Sequence, residues 1–255
     1  MNGIKSDQVR YVCALLFVAL LLAMALVLSP RGIPRAGADE GCPDVEVIFA
    51  RGTFEPPGVG GIGQAFVDEL RAQPPQLAGK SVDVYAVNYP ASLNFSTAAD
   101  GVIDASNRVR DMATRCPNAK MVLGGYSQGA AVAGYVTADK IPPDGYVPPD
   151  GITGPMAPAI ANHVAAVALF GKPSNGFLNS IDRTAPPITV GNLYAAKTID
   201  QCIAEDPICS PSGGGDNGGA HQAYALNGMT EQAAGFAAAK VAAAAATTPK
   251  PANAS

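Results

Sequence analysis

Several residue types that mark common function classes are scarce in this chain. Tryptophan is absent from the 255 residues, only two histidines are present, and charged residues make up 15%. So few histidines, and the lack of any Cys-x₂-Cys pair, argue against a zinc site. No basic run lies beyond the N-terminus and the net charge is −4, which argues against nucleic-acid binding. No phosphate-loop signature follows a predicted strand. We therefore expect no metal, no cofactor and no nucleic-acid partner.

The N-terminus has the composition of a targeting segment. Lys5 and Arg10 precede an apolar run over residues 12–28, and Ala36-Gly37-Ala38 supplies an A-x-A cleavage signal before Asp39. We predict that residues 1–38 are a cleaved signal peptide and that the protein is secreted. The run is long for a signal-peptide core and slightly short for a spanning helix, so an uncleaved membrane anchor at the cell envelope is the alternative.

The rest of the chain is long enough for one domain with a sizeable core, because 48% of all residues are hydrophobic. Residues 1–38 carry a net charge of +3, so the exported part is near −7. We predict a globular domain over residues 39–246. Residues 247–255 are rich in proline, alanine and threonine, and we predict a disordered tail there.

Four cysteines remain in the exported part, and an even number in a secreted protein indicates disulfides. They are Cys42, Cys116, Cys202 and Cys209, and they allow three pairings. Cys42 and Cys116 each precede a predicted strand. If those strands are parallel neighbours, both cysteines lie at the same edge of the sheet, and a Cys42–Cys116 bridge is geometrically reasonable. Cys202 and Cys209 would then close a short loop.

The pattern of apolar segments alternates between strand and helix signals. Strands are predicted at residues 45–50, 82–88, 163–170 and 188–193, with a further strand ending at 121–123. Helices are predicted at 62–72, from a Ser96 or Thr97 cap to 115, after 129, from 221 to about 226, and from a Thr230 cap to 246. Residues 141–158 and 200–219 are predicted to be irregular. This alternation predicts an α/β fold: a three-layer α/β/α sandwich around a central, mostly parallel sheet of the α/β-hydrolase kind.

One motif organises the chain. Gly125-Tyr-Ser-Gln-Gly129 fits G-x-S-x-G and lies between a predicted strand and a helix of small residues. In that context the serine occupies a sharp turn at the carboxyl edge of the sheet, where a ligand site is expected. The glycines allow strand and helix to approach closely, and the helix N-terminus can stabilise an oxyanion. Ser127 is therefore the predicted nucleophile.

A serine nucleophile needs a base and an acid. His163 begins a predicted strand at the opposite edge of the sheet, whereas His221 follows the long loop after the last predicted strand, in the chain order Ser–acid–His. His221 is therefore the predicted base. Four carboxylates precede it in suitable positions: Asp200, Glu205, Asp206 and Asp216. Spacing favours Asp206, inside the Cys202–Cys209 loop, with Glu205 and Asp216 as rivals.

The motifs together resemble the cutinase family of serine esterases, particularly the secreted cutinase-like proteins of actinobacteria. They are Cys42-Pro-Asp, Arg51-Gly-Thr-Phe-Glu55, Gly125-Tyr-Ser-Gln-Gly129, Cys202 to Asp206-Pro-Ile-Cys209 and His221-Gln-Ala-Tyr224. The resemblance implies a catalytic triad of Ser127, Asp206 and His221. It also implies an oxyanion hole formed by Thr53 and the backbone N–H of Gln128. Bridges Cys42–Cys116 and Cys202–Cys209 follow from it, as does a mechanism that needs no metal or cofactor. Arg51 and Glu55 are expected to be structural.

The resemblance also bears on substrate. Fungal cutinases carry an apolar stretch before the histidine, whereas here residues 210–220 are polar and glycine-rich. We therefore expect small-molecule or lipid esters of short to medium acyl chain rather than polymeric cutin, some contact with a lipid surface, and a monomer. Alternatives are phospholipase or thioesterase activity, acyl transfer on cell-envelope lipids, and a surface antigen with incidental activity. Since residues 210–219, which follow the loop around Asp206, include nothing apolar enough to hold that loop against the core, we expect the Cys202–Cys209 bridge to hold it.

Overall fold

The computed structural model of the protein describes residues 41–73, 75–140, 148–210 and 218–247. The predicted signal peptide and all of the predicted tail except Thr247 lie outside these ranges. The strands are β1 (Val45–Ala50), β2 (Val82–Ala86), β3 (Lys120–Tyr126), β4 (Val164–Phe170) and β5 (Thr198–Gln201). The helices are α1 (Gly60–Arg71), α2 (Ala98–Arg115), α3 (Gln128–Val136), α4 (Pro158–Ala161), α5 (Asn175–Ile181), α6 (Asn192–Ala195), α7 (Gly218–Gln222) and α8 (Met229–Ala246). Two 3₁₀ turns, Phe95–Thr97 and Ala223–Ala225, complete the elements.

The five strands form one parallel sheet in the order β2-β1-β3-β4-β5. From β1 the chain moves outward to β2, then returns to β3 on the other side of β1 and continues to β5. The strand order therefore reverses between β1 and β3, and their carboxyl ends flank the crevice where such sheets bind ligands. The loop after β1 contains Thr53, and Ser127 follows β3. The predicted α/β/α architecture is confirmed.

Helices cover both faces of this sheet, which is why β1 and β4 are buried along their whole length. On one face, Val109 and Met112 of α2 pack with Leu123 and with α3. On the other face, α1 and α8 pack against Phe49 and Phe170. The helix α8 contributes mainly alanines to this contact, and their small side chains allow a close approach to the sheet.

Two local predictions were wrong. Residues 188–193 form no strand: Ile188 packs on Ala131 of α3 instead, and α6 begins at Asn192, whose N–H donates to Asp139 Oδ2 at 2.7 Å. The fifth strand is β5, so Asp200 lies in the sheet rather than in a loop. The last helix is capped by Gly228, at φ 82°, and not by Thr230, which is buried.

Both predicted disulfides are present. Cys42 pairs with Cys116 and Cys202 with Cys209, at Cα–Cα distances of 5.6 and 5.8 Å. Across the described part of the chain, no helix combines the length and apolar character that crossing a bilayer would require.

Candidate active site

The turn that carries Ser127 is as sharp as the motif predicts. Ser127 has φ 54° and ψ −118°, between the last residue of β3 and the first of α3. A Cβ on Gly125 would lie 2.1 Å from the Gly129 carbonyl oxygen, and one on Gly129 would lie 2.0 Å from the Ala50 carbonyl oxygen. Any side chain at either position would collide with backbone, so the two glycines allow the strand, the turn and β1 to pack together.

The structure brings Ser127, His221 and Asp206 into one chain of hydrogen bonds. His221 Nε2 lies 2.8 Å from Ser127 Oγ, and His221 Nδ1 lies 2.7 Å from Asp206 Oδ2. With the imidazole proton on Nδ1, His221 donates to the carboxylate and accepts from the serine hydroxyl. This is the arrangement in which a serine can lose its proton to the imidazole as it attacks.

Asp206 is completely buried and is held by three donors. Besides His221, the Tyr224 hydroxyl donates to Oδ2 at 2.5 Å and the Ile208 N–H donates to Oδ1 at 2.8 Å. Burial by itself raises the pKa of this carboxyl, but the hydrogen bonds from His221, Tyr224 and Ile208 outweigh it and hold the pKa below its usual range. Asp206 therefore stays ionised despite its burial.

Tyr224 is a site residue that the sequence motifs did not assign to a role. Its side chain is fully buried, and both burial and its hydrogen bond to Asp206 raise the pKa of the phenol. Its hydroxyl accepts from the Ile203 N–H at 3.3 Å and lies 3.3 Å from Cys209 Sγ. The hydroxyl thus joins the acid, the loop backbone and the second disulfide. The sequence feature that pointed to a role for Tyr224 in the site is its position three residues after His221.

The imidazole is also fixed from two other directions. The Tyr126 ring centroid lies 5.0 Å from that of His221, and its hydroxyl donates to the His221 carbonyl at 2.7 Å. Gly171, at φ 58°, follows β4, and a Cβ there would lie 2.9 Å from His221 Cε1 and 3.1 Å from Asp206 Oδ2. The His221–Asp206 pair occupies the space that a larger residue at 171 would fill.

The rival carboxylates that the structure describes do not bond to His221. Glu205 is exposed, and Asp200 in β5 pairs with Lys172 Nζ at 3.3 Å. Asp216 lies outside the described residues. His163 immediately precedes β4 at the amino edge of the sheet, as expected, and burial and the charge of Lys120 lower its pKa.

The loop after β1 is held rigidly beside the turn that carries Ser127. The buried guanidinium of Arg51 donates to the carbonyls of Tyr89, at 2.6 Å, and Glu55, at 2.8 Å. The Glu55 carboxylate in turn accepts from the backbone N–H groups of Gly52 and Gly61, at 2.6 and 2.7 Å. The expectation that Arg51 and Glu55 are structural agrees with these contacts.

Both predicted oxyanion donors line the same cavity as Ser127. Thr53 follows Gly52 in the fixed loop. Gln128 is the first residue of α3, so its N–H has no acceptor within the helix ladder. The Gln128 side chain is directed elsewhere, since Nε2 donates to the Ser92 carbonyl at 3.1 Å.

The cavity has a volume of about 830 Å³ and is lined mainly by apolar side chains. Phe54 and Leu93 also line it, and they are 74% and 62% exposed to solvent. Among the described residues there is no cluster of three or more His, Cys, Asp or Glu side chains that could hold a metal ion. The site therefore combines a serine–histidine–aspartate hydrogen-bond chain with an apolar cavity.

Comparison with known proteins identifies relatives that are similar in sequence over most of the chain. Residues 41–241 match the family model Cutinase. Carboxylesterase Culp1 of Mycobacterium tuberculosis is 46% identical over 222 residues, which cover 87% of this chain and 92% of the relative. Phospholipase Culp4 of the same organism is 46% identical over 226 residues, covering 89% of this chain and 90% of the relative.

Among solved structures, Trichoderma reesei cutinase in complex with a phosphonate inhibitor superimposes with a TM-score of 0.57. It is 31% identical, over 78% of this chain and 77% of that one. An acetylxylan esterase superimposes with a TM-score of 0.60 at 26% identity, over 78% of this chain and 99% of its own. The family model spans most of the chain, and the protein belongs to the cutinase family.

Proposed function

We propose that this protein is a serine esterase that hydrolyses carboxylic esters through Ser127, His221 and Asp206. The observation that carries the proposal is the unbroken hydrogen-bond chain from buried Asp206 through His221 to the Ser127 hydroxyl. Membership of the cutinase family and the names of the relatives, which are carboxylesterases and a phospholipase, support the same reaction class.

In the proposed mechanism, His221 removes the proton from Ser127 as Oγ attacks the ester carbonyl. Asp206 stabilises the imidazolium and fixes its tautomer, and His221 then gives the proton to the leaving alcohol. A water molecule, activated by the same imidazole, hydrolyses the acyl-enzyme and restores the serine. Thr53 and the Gln128 N–H stabilise the negative oxygen of each tetrahedral intermediate.

The proposed substrates are small-molecule or lipid esters of short to medium acyl chain. The mainly apolar lining of the cavity favours an acyl group there, and its volume is within the range of sites for small organic ligands. Since one relative is a phospholipase, a phospholipid ester is the second candidate substrate, acted on by the same three residues.

We further propose that the enzyme is a secreted monomer that works at or near a lipid surface. The two disulfides are consistent with export. The exposed apolar side chains of Phe54 and Leu93, on the cavity wall, are suited to contact with lipid.

The test of the nucleophile is Ser127→Ala. The variant should lose hydrolysis of p-nitrophenyl butyrate by on the order of 10⁴-fold or more, because members of such a triad act as a unit. It should also lose labelling by a fluorophosphonate probe. Ser180→Ala, at an exposed serine of α5 outside the cavity, is the matched control and should behave as wild type. Labelling that persists in Ser127→Ala would contradict the assignment, and a wild-type protein that neither labels nor hydrolyses would favour a surface role.

A further inference from the structure

Beyond the triad, the shape of the cavity bears on acyl-chain selection. We propose that the cavity is a channel that measures the acyl chain, with Ser106 in its wall and Arg110 at its end. This inference rests on the proposed esterase function and deepens it. It predicts an optimum chain length and names the residues that set it.

The floor of the channel is the outer face of α3. Ser127 at the start of α3, together with Ala131 and Tyr135, lines the cavity at a spacing of four residues, which places them on one side of the helix. Ala138, just beyond the end of α3, also lines it. The helix rises about 1.5 Å per residue, so its nine residues extend the cavity about 12 Å from the nucleophile.

One wall is a stripe on α2. Ala99, Ile103, Ser106 and Arg110 line the cavity at helical spacing, whereas Ala105 and Val109 face the core. Because α2 begins at the carboxyl edge of the sheet and runs back toward the amino edge, Ala99 lies at the Ser127 end. Arg110 lies about 16 Å further along the helix axis. Ser106 therefore faces the channel.

The segment 148–155 runs along the same wall. A Cβ on Gly151 would lie 3.0 Å from Ile103 Cδ1, so this segment packs closely on α2. Thr153 accepts a hydrogen bond from Arg110 Nη2 at 3.2 Å, which holds the guanidinium at the wall. Gly151 and Thr153 both line the cavity, so the segment forms part of the channel wall beside Arg110.

The polarity of the lining changes along the channel. Near Ser127 the α2 stripe is apolar, through Ala99, Val102 and Ile103, and further along it becomes Ser106 and then Arg110. Lys140, beyond the end of α3, adds a further charged side chain to the lining, as does Asp182 after α5. An alkyl chain can replace water along the apolar part. A longer chain would have to desolvate the guanidinium, which is unfavourable.

The chemistry of the reaction assigns the channel to the acyl group. His221 must protonate the leaving alcohol, so the alcohol has to stay beside the imidazole, where Gln222 also lines the cavity. The acyl part is then free to extend along α3. The substrate class is an ester of a single unbranched acyl chain of medium length.

The channel predicts how kcat/KM depends on the length of the acyl chain. Each methylene buried in the channel should raise kcat/KM by up to about fourfold, the factor that corresponds to about 0.8 kcal/mol. With p-nitrophenyl esters in one non-ionic detergent, kcat/KM should rise from acetate through butyrate to octanoate or laurate. It should fall for palmitate, whose chain outgrows the channel.

Two substitutions test the assignment. Ser106→Phe should block the channel and lower the laurate-to-butyrate ratio of kcat/KM by tenfold or more. Thr114→Phe is the matched control, since it places the same side chain at an exposed position of α2 outside the cavity, and it should keep the wild-type ratio. Arg110→Leu should move the optimum to longer chains and raise the palmitate-to-laurate ratio about threefold or more.

Ratios measured on one preparation cancel any loss of folded enzyme, so a partly unfolded variant still reports the chain-length preference. Butyrate hydrolysis without any gain for longer chains would overturn the channel while leaving the esterase proposal intact. So would a Ser106→Phe variant with the wild-type ratio, or an unchanged optimum in Arg110→Leu. Failure to hydrolyse any ester would instead count against the proposed function itself.

Discussion

At the scale of single residues, the hydroxyl of Tyr224 is the contact that most affects the proposed acid. It donates to the same Asp206 oxygen that accepts from His221. The charge of this carboxylate is therefore shared between a phenol and an imidazole. Because the phenol is buried and its pKa is raised, it remains a donor throughout the working pH range.

Tyr224→Phe tests this arrangement. Without the phenol, Asp206 loses one of the hydrogen bonds that lower its pKa, so the pKa of this carboxyl rises. We expect the acid limb of the kcat/KM profile to move to higher pH, and kcat to fall about tenfold, as for the loss of one hydrogen bond to a charged group. Tyr224 does not touch the reacting atoms, so it acts as a positioning residue.

The matched control is Tyr85→Phe, which removes a phenol–carboxylate hydrogen bond to Asp104 away from the catalytic cavity. It should leave the pH profile unchanged. A Tyr224→Phe enzyme with reduced stability but a wild-type pH profile would mean that the tyrosine only fills space in the core.

The predictability of the site differs from residue to residue. Ser127 and His221 follow from a local motif and from chain order. Asp206 is one of four candidate carboxylates in the sequence, and the family resemblance is what separates it from Glu205. For Tyr224 the sequence offers only its position three residues after His221, which does not identify Asp206 as the carboxylate that its hydroxyl meets.

At the scale of elements, the two loops that carry Phe54 and Leu93 are joined to each other. The Phe54 N–H donates to the Ala91 carbonyl at 2.8 Å, and both Phe54 and Ala91 have positive φ, 65° and 50°. Neither conformation is common for these residues, and the loops nevertheless leave two large apolar side chains in solvent. This exposure is expected if the side chains meet a lipid surface.

The double variant Phe54→Ser with Leu93→Ser tests that contact. Transfer of each apolar side chain from water contributes about 1.5–3 kcal/mol, so binding to phosphatidylcholine vesicles in a sedimentation assay should fall at least tenfold. Leu226→Ser is the matched control, since Leu226 is 89% exposed and does not line the cavity. Equal vesicle binding by all three proteins would exclude the contact.

The elements themselves are predictable where burial dominates. The span of β1 was predicted correctly because a strand covered on both faces is mostly apolar, and its one charged residue, Glu46, is buried in an ion pair with Arg108. The fifth strand was misplaced. Ile188-Thr-Val190 has strand propensity, but Ile188 packs on α3, whereas β5 is a partly exposed edge strand with little apolar content. Tertiary packing decides such segments, and propensity does not.

At the scale of the whole molecule, the disulfides act over very different lengths of chain. Cys42–Cys116 joins residues 74 apart and ties the entry to β1 to the entry to β3. Cys202–Cys209 joins residues only 7 apart and encloses Asp206. The first bridge constrains almost a third of the chain in the unfolded state, and the second constrains one loop. Their removal should therefore affect different properties.

Pairwise replacement of cysteine by serine separates these effects. Loss of Cys42–Cys116 should lower the free energy of unfolding by about 4–5 kcal/mol, and loss of Cys202–Cys209 by about 2–3 kcal/mol, because the entropic term grows with loop length.

The effect on turnover should have the opposite order, with the larger loss of kcat on removal of Cys202–Cys209. Without the short bridge, the segment that contains Asp206 and Ile208 keeps its hydrogen bonds from the Tyr224 hydroxyl and the Ser174 N–H but is no longer closed into a loop, and we expect kcat to fall about tenfold. Denaturant unfolding and kcat for butyrate, measured on protein from culture medium, give both quantities. That protein should begin at Asp39 and carry no free thiol, whereas an intact Met1 in the membrane fraction would favour the anchor. A Cys202→Ser, Cys209→Ser enzyme with full turnover would mean that Tyr224 and the backbone hold the acid without the bridge.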